Sequence, residues 1–442
     1  MNPYQHTTLT GEFDPLVAAT ALARAGLHDR HVVYERGPQW CYAGGALGEL
    51  VLDAEGLRVR WGGEESVEPL GERPLAQVAA ALGRLPISDW NVYGWAAFEL
   101  SYLVRRRIEV PSGTPLLHLI VPRTEVRLRA DRILVRAAEQ ASAERVREVV
   151  ETARPEPDAT PTPVPVDAYG AEMYQKAVAV AVDDIRRGEL QKVIISRPVP
   201  IAGAVDIPAT YLHGRRRNTP ARSFLLDLGG WKAMGFSPET VVEVDATGAV
   251  STQPLAGTRA HGLGAERDAR LREQLLTDAK EIYEHAISVK LGHEELLTVC
   301  DEDSVAVSDF MSVKPRGSVQ HLGSRVVGRL APDRTAWDAL EALFPAITAS
   351  GIPKEPAYER IARLEPSPRG LYSGAVLTAS SDGSMDAALV LRALYEKDGH
   401  AWLRAGAGIV ADSVPARELE ETREKLSSVA PHVIAAAPAD RP

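Results

Sequence analysis

The chain has 442 residues, 45% hydrophobic and 25% charged, the make-up of a globular protein with apolar mass enough for a large core. Its formal net charge of −10 argues against a nucleic-acid surface and for a small-molecule substrate. Two cysteines, Cys41 and Cys300, exclude a disulfide framework or cysteine-rich metal site, no apolar run nears the ~18 residues of a membrane helix, and the N-terminus lacks a secretion pattern, so a cytoplasmic protein is expected.

Up to about residue 135, the segments HVVYERG, ELVLDAEGLRVRWGG and EVRLRADRILVRAA alternate apolar and polar residues around tight turns, predicting half-buried antiparallel strands. Helical spacing intervenes at 14–25, 75–82 and 142–152. The arginine clusters at 105–107 and 215–217 read as solvated loops or helix ends. The stretch PEPDATPTPVPVDAYG, 155–170, is too rich in proline for a regular element. It reads as a surface crossing inside one domain spanning 1–442, between a less recognisable part, 1–154, and a motif-bearing part, 171–435.

Beyond it, a helix at 173–187 leads through GELQKVIISRPVPI into a buried strand. The run from SFLLDLGGW to PLAGTR reads as three strands joined by glycine turns. Residues 268–300 form the longest helix candidate, with an apolar stripe of Leu271, Leu275, Ala279, Ile282, Ala286 and Val289. A strand in SVQHLGSRVVGRL, a short helix at 336–343, another helix ending at IARLE, and a β-meander follow. Antiparallel strand runs with helices set apart predict an α+β protein.

The segment WLRAGAGIVADSVPARELEETREKL, 402–426, reads as a strand, an A-G-A-G turn containing Gly406 and Gly408, and a helix from Pro415. Glycines ahead of a helix N-terminus can cradle an anion. The helix then sets Glu418 and Glu421 one turn apart, with Lys425 a turn further. Glu281 and Glu284 repeat that E-x-x-E spacing on a second helix, and four carboxylates suit Mg2+; exposed acidic helix faces are the plainer reading. Lys192 stands where a helix gives way to a buried strand, where desolvation makes a lysine a usable base, unless it snorkels to the surface. Glu239, in G-F-S-P-E before the apolar TVVEV, is either a turn residue or a carboxyl kept protonated as an acid. Gly257 and Thr258 in P-L-A-G-T-R offer an N–H and a hydroxyl to a substrate oxygen.

In this order, K-V-I-I-S-R, G-F-S-P-E, P-L-A-G-T-R-A, K-E-I-Y-E-H, S-V-Q-H-L-G-S, G-L-Y-S-G-A-V and R-A-G-A-G-I-V resemble the chorismate-utilising enzymes, densely over 170–435 and loosely before. The resemblance implies a single large α+β domain, two antiparallel sheets packed together with helices outside. It implies Lys192 as the base activating water at C2 of chorismate and Glu239 as the acid protonating the departing C4 hydroxyl. It assigns Glu281, Glu284, Glu418 and Glu421 to Mg2+, with Glu284 and Glu421 as direct ligands. Gly257, Thr258, Tyr372, Arg392, Gly406, Gly408 and Lys425 match substrate-binding positions, Tyr372 and Arg392 on the enolpyruvyl carboxylate. His321 and Thr348 match positions near the ring, with a hydrogen-bonded core histidine as the alternative for His321.

Relatives that make anthranilate typically carry Gln where this chain has Lys192, and aminodeoxychorismate synthases often carry a nucleophilic lysine in P-I-K-G-T where it has Ala256; the resemblance therefore favours water as the nucleophile. F-P-A-I-T-A-S-G with Thr348, G-I-P-K and P-R-G-L-Y-S-G-A-V look most like the salicylate synthases of siderophore pathways. The implied activity is chorismate to salicylate and pyruvate through isochorismate. Isochorismate synthase without lyase activity is the second reading, ahead of anthranilate synthase component I and a non-catalytic chorismate-binding protein. The expected partner is chorismate alone, with no nucleic acid, membrane or glutamine amidotransferase subunit, and the protein is expected to be a monomer.

Overall fold

Residue alternation splits the strands between two faces. In the strand His31–Arg36, Val33 packs with one apolar cluster, while Val32 and Tyr34 join another on the opposite face. The computed structural model describes residues 4–105, 108–154, 160–167 and 169–437. Among them, every strand pairing is antiparallel and two large sheets form.

The 11-stranded sheet runs, in spatial order, Gln5–Thr10, Arg132–Ala137, Thr124–Leu128, Gln39–Gly44, His31–Arg36, Arg222–Leu228, Trp231–Ser237, Ala393–Lys397, His400–Ile409, Lys192–Ile201 and Gly351–Ile352. The 12-stranded sheet includes Leu255–Ala260, Val319–Arg329, Thr240–Val244, Met385–Leu389, Ala375–Ser380, Asn91–Ala96 and Leu117–Val121. The two sheets meet through Val32, Phe224 and Ala233 on one side and Tyr93, Trp95, Ile120 and Val376 on the other. Helices cover the outer faces: Pro15–Arg24 and Ile207–Arg215 on the first sheet, Pro74–Gly83 and Ala336–Leu343 on the second. This is the α+β layering expected from the sequence.

Local chemistry explains the helix starts. Asp14 caps Pro15–Arg24 by accepting from the N–H groups of Leu16 and Val17, with Pro15 in the first turn. Thr335 and Asp338 form a capping box on Ala336–Leu343.

Three expectations need correction. The run from 222 to 260 holds five strands, not three, because the S-P-E and Q-P segments also turn the chain. The helix expected over 268–300 is two, Ala265–Thr277 and Ala279–Leu297, broken at Asp278. Asp278 is extended there, and its carboxylate accepts from the N–H groups of Lys280 and Glu281, which starts the second helix afresh. Of the six stripe residues only Leu275 and Val289 are buried; the deep face of the second helix carries Glu281, Glu284, His285 and Ser288. Finally, Gly406 and Gly408 lie inside the strand His400–Ile409, not in a turn ahead of the helix.

Of the proline-rich crossing, 155–159 and 168 lie outside the described residues; Thr162 and Val164 are pinned by their N–H groups to the carbonyls of Val433 and Ala430. Arg106 and Arg107 likewise lie outside the described residues. Arg215 ends the helix Ile207–Arg215, one of the two readings of its cluster, and is part-buried against the Glu35 carboxylate.

Candidate active site

A small cavity of about 50 Å³ opens between the strands Lys192–Ile201 and His400–Ile409 of one sheet and Leu255–Ala260 and Val319–Arg329 of the other, beside the helices Ala279–Leu297 and Pro415–Leu426. All the residues singled out from the sequence line it except Lys192, Glu281 and Glu418, which stand directly behind its wall.

Lys192 begins the strand Lys192–Ile201 and is buried. Its Nζ lies 3.0 Å from Glu284 Oε1 and donates to Ser288 Oγ at 3.0 Å. Strand pairing sets Gly408 opposite Ile194 and Gly406 opposite Ser196. A side chain at Gly408 would run into the Glu284 carboxylate, and one at Gly406 would come 2.6 Å from Ile195 O and 2.9 Å from Tyr372 Oη. The glycines thus serve close approach rather than an anion-binding turn.

Glu239 follows the strand Trp231–Ser237 and is buried. Thr348 Oγ1 donates to its Oε1 at 2.6 Å and the Leu255 N–H to its Oε2 at 2.7 Å. Burial nevertheless raises its pKa to about 7, against the opposing pull of those donors and of Lys192 and Arg392. At that value the carboxyl is about half protonated at neutral pH.

Arg392 occupies left-handed backbone space at φ 52° and is buried. It donates to Ser428 Oγ at 3.2 Å and to His321 Nε2 at 3.0 Å, and no carboxylate pairs with it among the described residues. Burial holds its pKa down at about 10. Because a guanidinium only donates, His321 Nε2 must accept, so its Nδ1 carries the proton to Thr258 Oγ1 at 3.1 Å. Burial, then Arg392 and Lys425, keep the imidazole far below the usual histidine range, and hence neutral. Both ring nitrogens are engaged in orienting neighbours.

Gly257, at φ 79°, makes the bulge between Ala256 and Thr258 in the pairing with Val319–Arg329. It turns the Thr258 N–H onto Glu281 Oε2 at 3.1 Å, so that donor faces a carboxylate.

The four glutamates are buried and each meets a basic side chain. Arg259 donates to Glu281 at 2.9 Å and Lys280 to Glu418 at 2.8 Å; Lys425 lies 2.7 Å from Glu421, and Lys192 holds Glu284. Lys425 also donates to Gly406 O at 2.9 Å. Burial, reinforced by Glu421, pushes Glu418 up to about 7 and raises Glu281 as well. Burial works the same way on Glu421, but Lys425 and Lys280 outweigh it and hold that carboxyl at about 2. Among the described residues, no three acidic, histidine or cysteine side chains stand ready-converged on a metal ion. The donor set still fits a hard cation: the buried carboxylates burden one another with charge, and Glu418 Oε2 lacks any hydrogen-bond partner.

Sequence reasoning missed the partners: Lys280, Arg259, Ser288 and Ser428. Lys280 lies in the A-K-E-I-Y-E-H run itself, but spacing along one helix does not say which residue of another helix it meets.

Residues 32–431 match the family described as chorismate binding enzyme. The chain is 45% identical over 429 residues to a salicylate synthase of Mycolicibacterium paratuberculosis, covering 96% of this chain and 94% of that one. Its fold is similar to the crystal structure of anthranilate synthase component I from Streptococcus pneumoniae, with TM-score 0.75 and 28% identity over 89% of this chain and 92% of that one. The menaquinone-specific isochorismate synthase of Escherichia coli shares the fold at TM-score 0.73 and 22% identity, over 97% and 94% of the two chains. Matched over nearly its whole length and carrying the expected residues around one cavity, this chain belongs to the chorismate-binding enzyme family.

Proposed function

We propose that the protein is a salicylate synthase, converting chorismate through isochorismate to salicylate and pyruvate. The observation that carries the acid–base chemistry is a carboxyl, Glu239, about half protonated at neutral pH and electrostatically linked to the buried amine of Lys192. The near full-length likeness to a salicylate synthase supports the product.

In the first step Lys192 takes a proton from water as its oxygen bonds to C2. The ring double bonds shift, the C4–O bond breaks, and Glu239 gives its proton to the leaving hydroxyl, which departs as water. The two proton transfers cancel, and Lys192 returns its proton to Glu239 through solvent. Arg392, a buried cation without an acidic partner among the described residues, receives the enolpyruvyl carboxylate, with Tyr372 beside it. His321 holds Arg392 in place. In the second step the C2 hydrogen moves to the enolpyruvyl methylene carbon as the C3–O bond breaks and the ring aromatises. That step calls for a held conformation and no further acid or base.

Glu281, Glu284, Glu418 and Glu421 would hold Mg2+, which supplies charge neutralisation for the ring carboxylate. Among the described residues, no helix is long and apolar enough to cross a membrane; a cytoplasmic enzyme working as a monomer, without an amidotransferase subunit, completes the proposal.

The test is purified protein with chorismate and Mg2+, salicylate read by fluorescence and pyruvate counted beside it. Equal amounts of both, abolished by EDTA, are expected. Isochorismate accumulating without pyruvate would reduce the activity to the first step. Lys192→Ala is expected to lose about 10²–10⁴-fold in turnover while still binding chorismate; turnover left intact would remove Lys192 from its role.

A further inference from the structure

At the floor of the cavity, which Arg404 helps to line, lies a buried charge cluster that none of the assigned roles uses. The side chains of Glu365, Arg369 and Arg404 are at most 2% exposed. Glu365 Oε1 accepts from the Ser196 N–H at 2.7 Å, from Ser196 Oγ at 2.8 Å and from Arg369 Nη2 at 2.6 Å. Its Oε2 accepts from Arg369 Nε at 3.0 Å and Arg404 Nη2 at 2.6 Å. Two guanidinium groups share one carboxylate, and the Glu99 carboxyl accepts from the Arg369 and Gly370 N–H groups beside them, an ion cluster that is expensive if stability were its only use.

The remaining bonds of Arg369 show where its grip falls. Nη1 donates to Ala349 O at 2.6 Å and Nη2 to Ile194 O at 2.8 Å. Ala349 follows Thr348, whose hydroxyl holds Glu239. Ile194 lies two residues along the strand from Lys192 and itself lines the cavity. The Ile194 N–H also donates to Ser350 O at 2.8 Å, so the two segments already touch, and the guanidinium bridges them from below. A planar fork can reach two carbonyls and a carboxylate together; a lysine cannot.

We propose that Arg369 is a positioning residue for the reaction, its guanidinium fixing the spacing between the Thr348 turn that holds Glu239 and the strand that carries Lys192. The proposal rests on the reading of Glu239 as acid and Lys192 as base.

The pH dependence of kcat tests it. Glu239 must be protonated, so kcat falls on the basic side. The Thr348 bond favours the ionised carboxyl, and loosening it moves that basic limb to higher pH. The charged groups that bear on Glu239, namely Lys192, Arg392 and Arg316, stay the same in every variant. Arg369→Lys is expected to lower kcat by about a hundredfold with little change in KM, and to move the basic limb up. Thr348→Val is expected to move the limb the same way, and the double variant no further than Thr348→Val alone. Should Arg369→Lys not fold, Glu365→Gln, which frees one arm of the fork, is read instead and is expected to shift the limb in the same direction. A folded variant with an unmoved limb, or a shift fully additive with Thr348→Val, overturns the proposal. A wild-type profile with no basic limb would instead remove Glu239 as the acid, and the clamp's purpose with it.

Discussion

Glu239 accepts two hydrogen bonds that favour its ionised form, yet burial holds its pKa at about 7 instead of 4.5. Between those values the native state binds more protons than the unfolded chain, so this group's contribution falls as pH rises from 4.5 through 7. Glu239→Gln is therefore expected to leave stability near pH 5 little changed and to add about 3 kcal/mol at pH 8. Urea unfolding at the two pH values checks this; an equal effect at both would contradict it. The amide can satisfy both neighbours, since the Thr348 hydroxyl can accept as well as donate. At this scale the sequence was informative about Glu239 because a turn glutamate running straight into TVVEV has few apolar-free places to go. It was silent about Thr348 as its partner, which arrives from 109 residues along the chain. The same gap hides Ser428 behind Arg392.

Two elements deliver the carboxylates, and each depends on a small local feature. Asp278 breaks what would be one long helix, and its second carboxylate oxygen takes Arg259, the residue that also grips Glu281. The periodicity of 268–300 runs through the break undisturbed, so the pattern alone gave one helix; the capping preference of aspartate carries the missing information. The glycine strand is the other feature. Gly408→Ala sets a methyl group against the end of the Glu284 side chain, which can swing away, so the fold is expected to survive. Displacing that carboxylate is expected to weaken Mg2+ binding by roughly 10–100-fold, by analogy with disturbed metal-ligand support. Calorimetric Mg2+ titration of the variant measures this, and unchanged affinity would free Glu284 from the metal. Gly406→Ala meets the backbone carbonyl of Ile195 instead, and its cost is expected in folding, about 1–3 kcal/mol.

Across the whole molecule, alternation in the first 135 residues made the strands legible, and the ordered motifs made the cavity legible. The order of strands within each sheet was not, because pairing partners far apart in sequence leave no local trace. That order joins early and late chain: Arg222–Leu228 pairs with His31–Arg36, and Ala375–Ser380 with Asn91–Ala96. The residues around the cavity all come from 192 onward, yet cutting away 1–154 would strip a neighbour from the middle of both sheets. A fragment of 171–435 is expected to aggregate through those bared edges and to melt without cooperativity; a soluble, cooperatively melting fragment would show that the late strands suffice. The interleaving also sets a clock during synthesis. Some 186 residues separate the end of His31–Arg36 from the start of its partner at Arg222, and at ~5–20 residues per second the earlier strand waits roughly 10–40 s on the ribosome with that edge open. For tens of seconds the newborn chain thus depends on whatever shields it, and the site is assembled only when the last helix emerges.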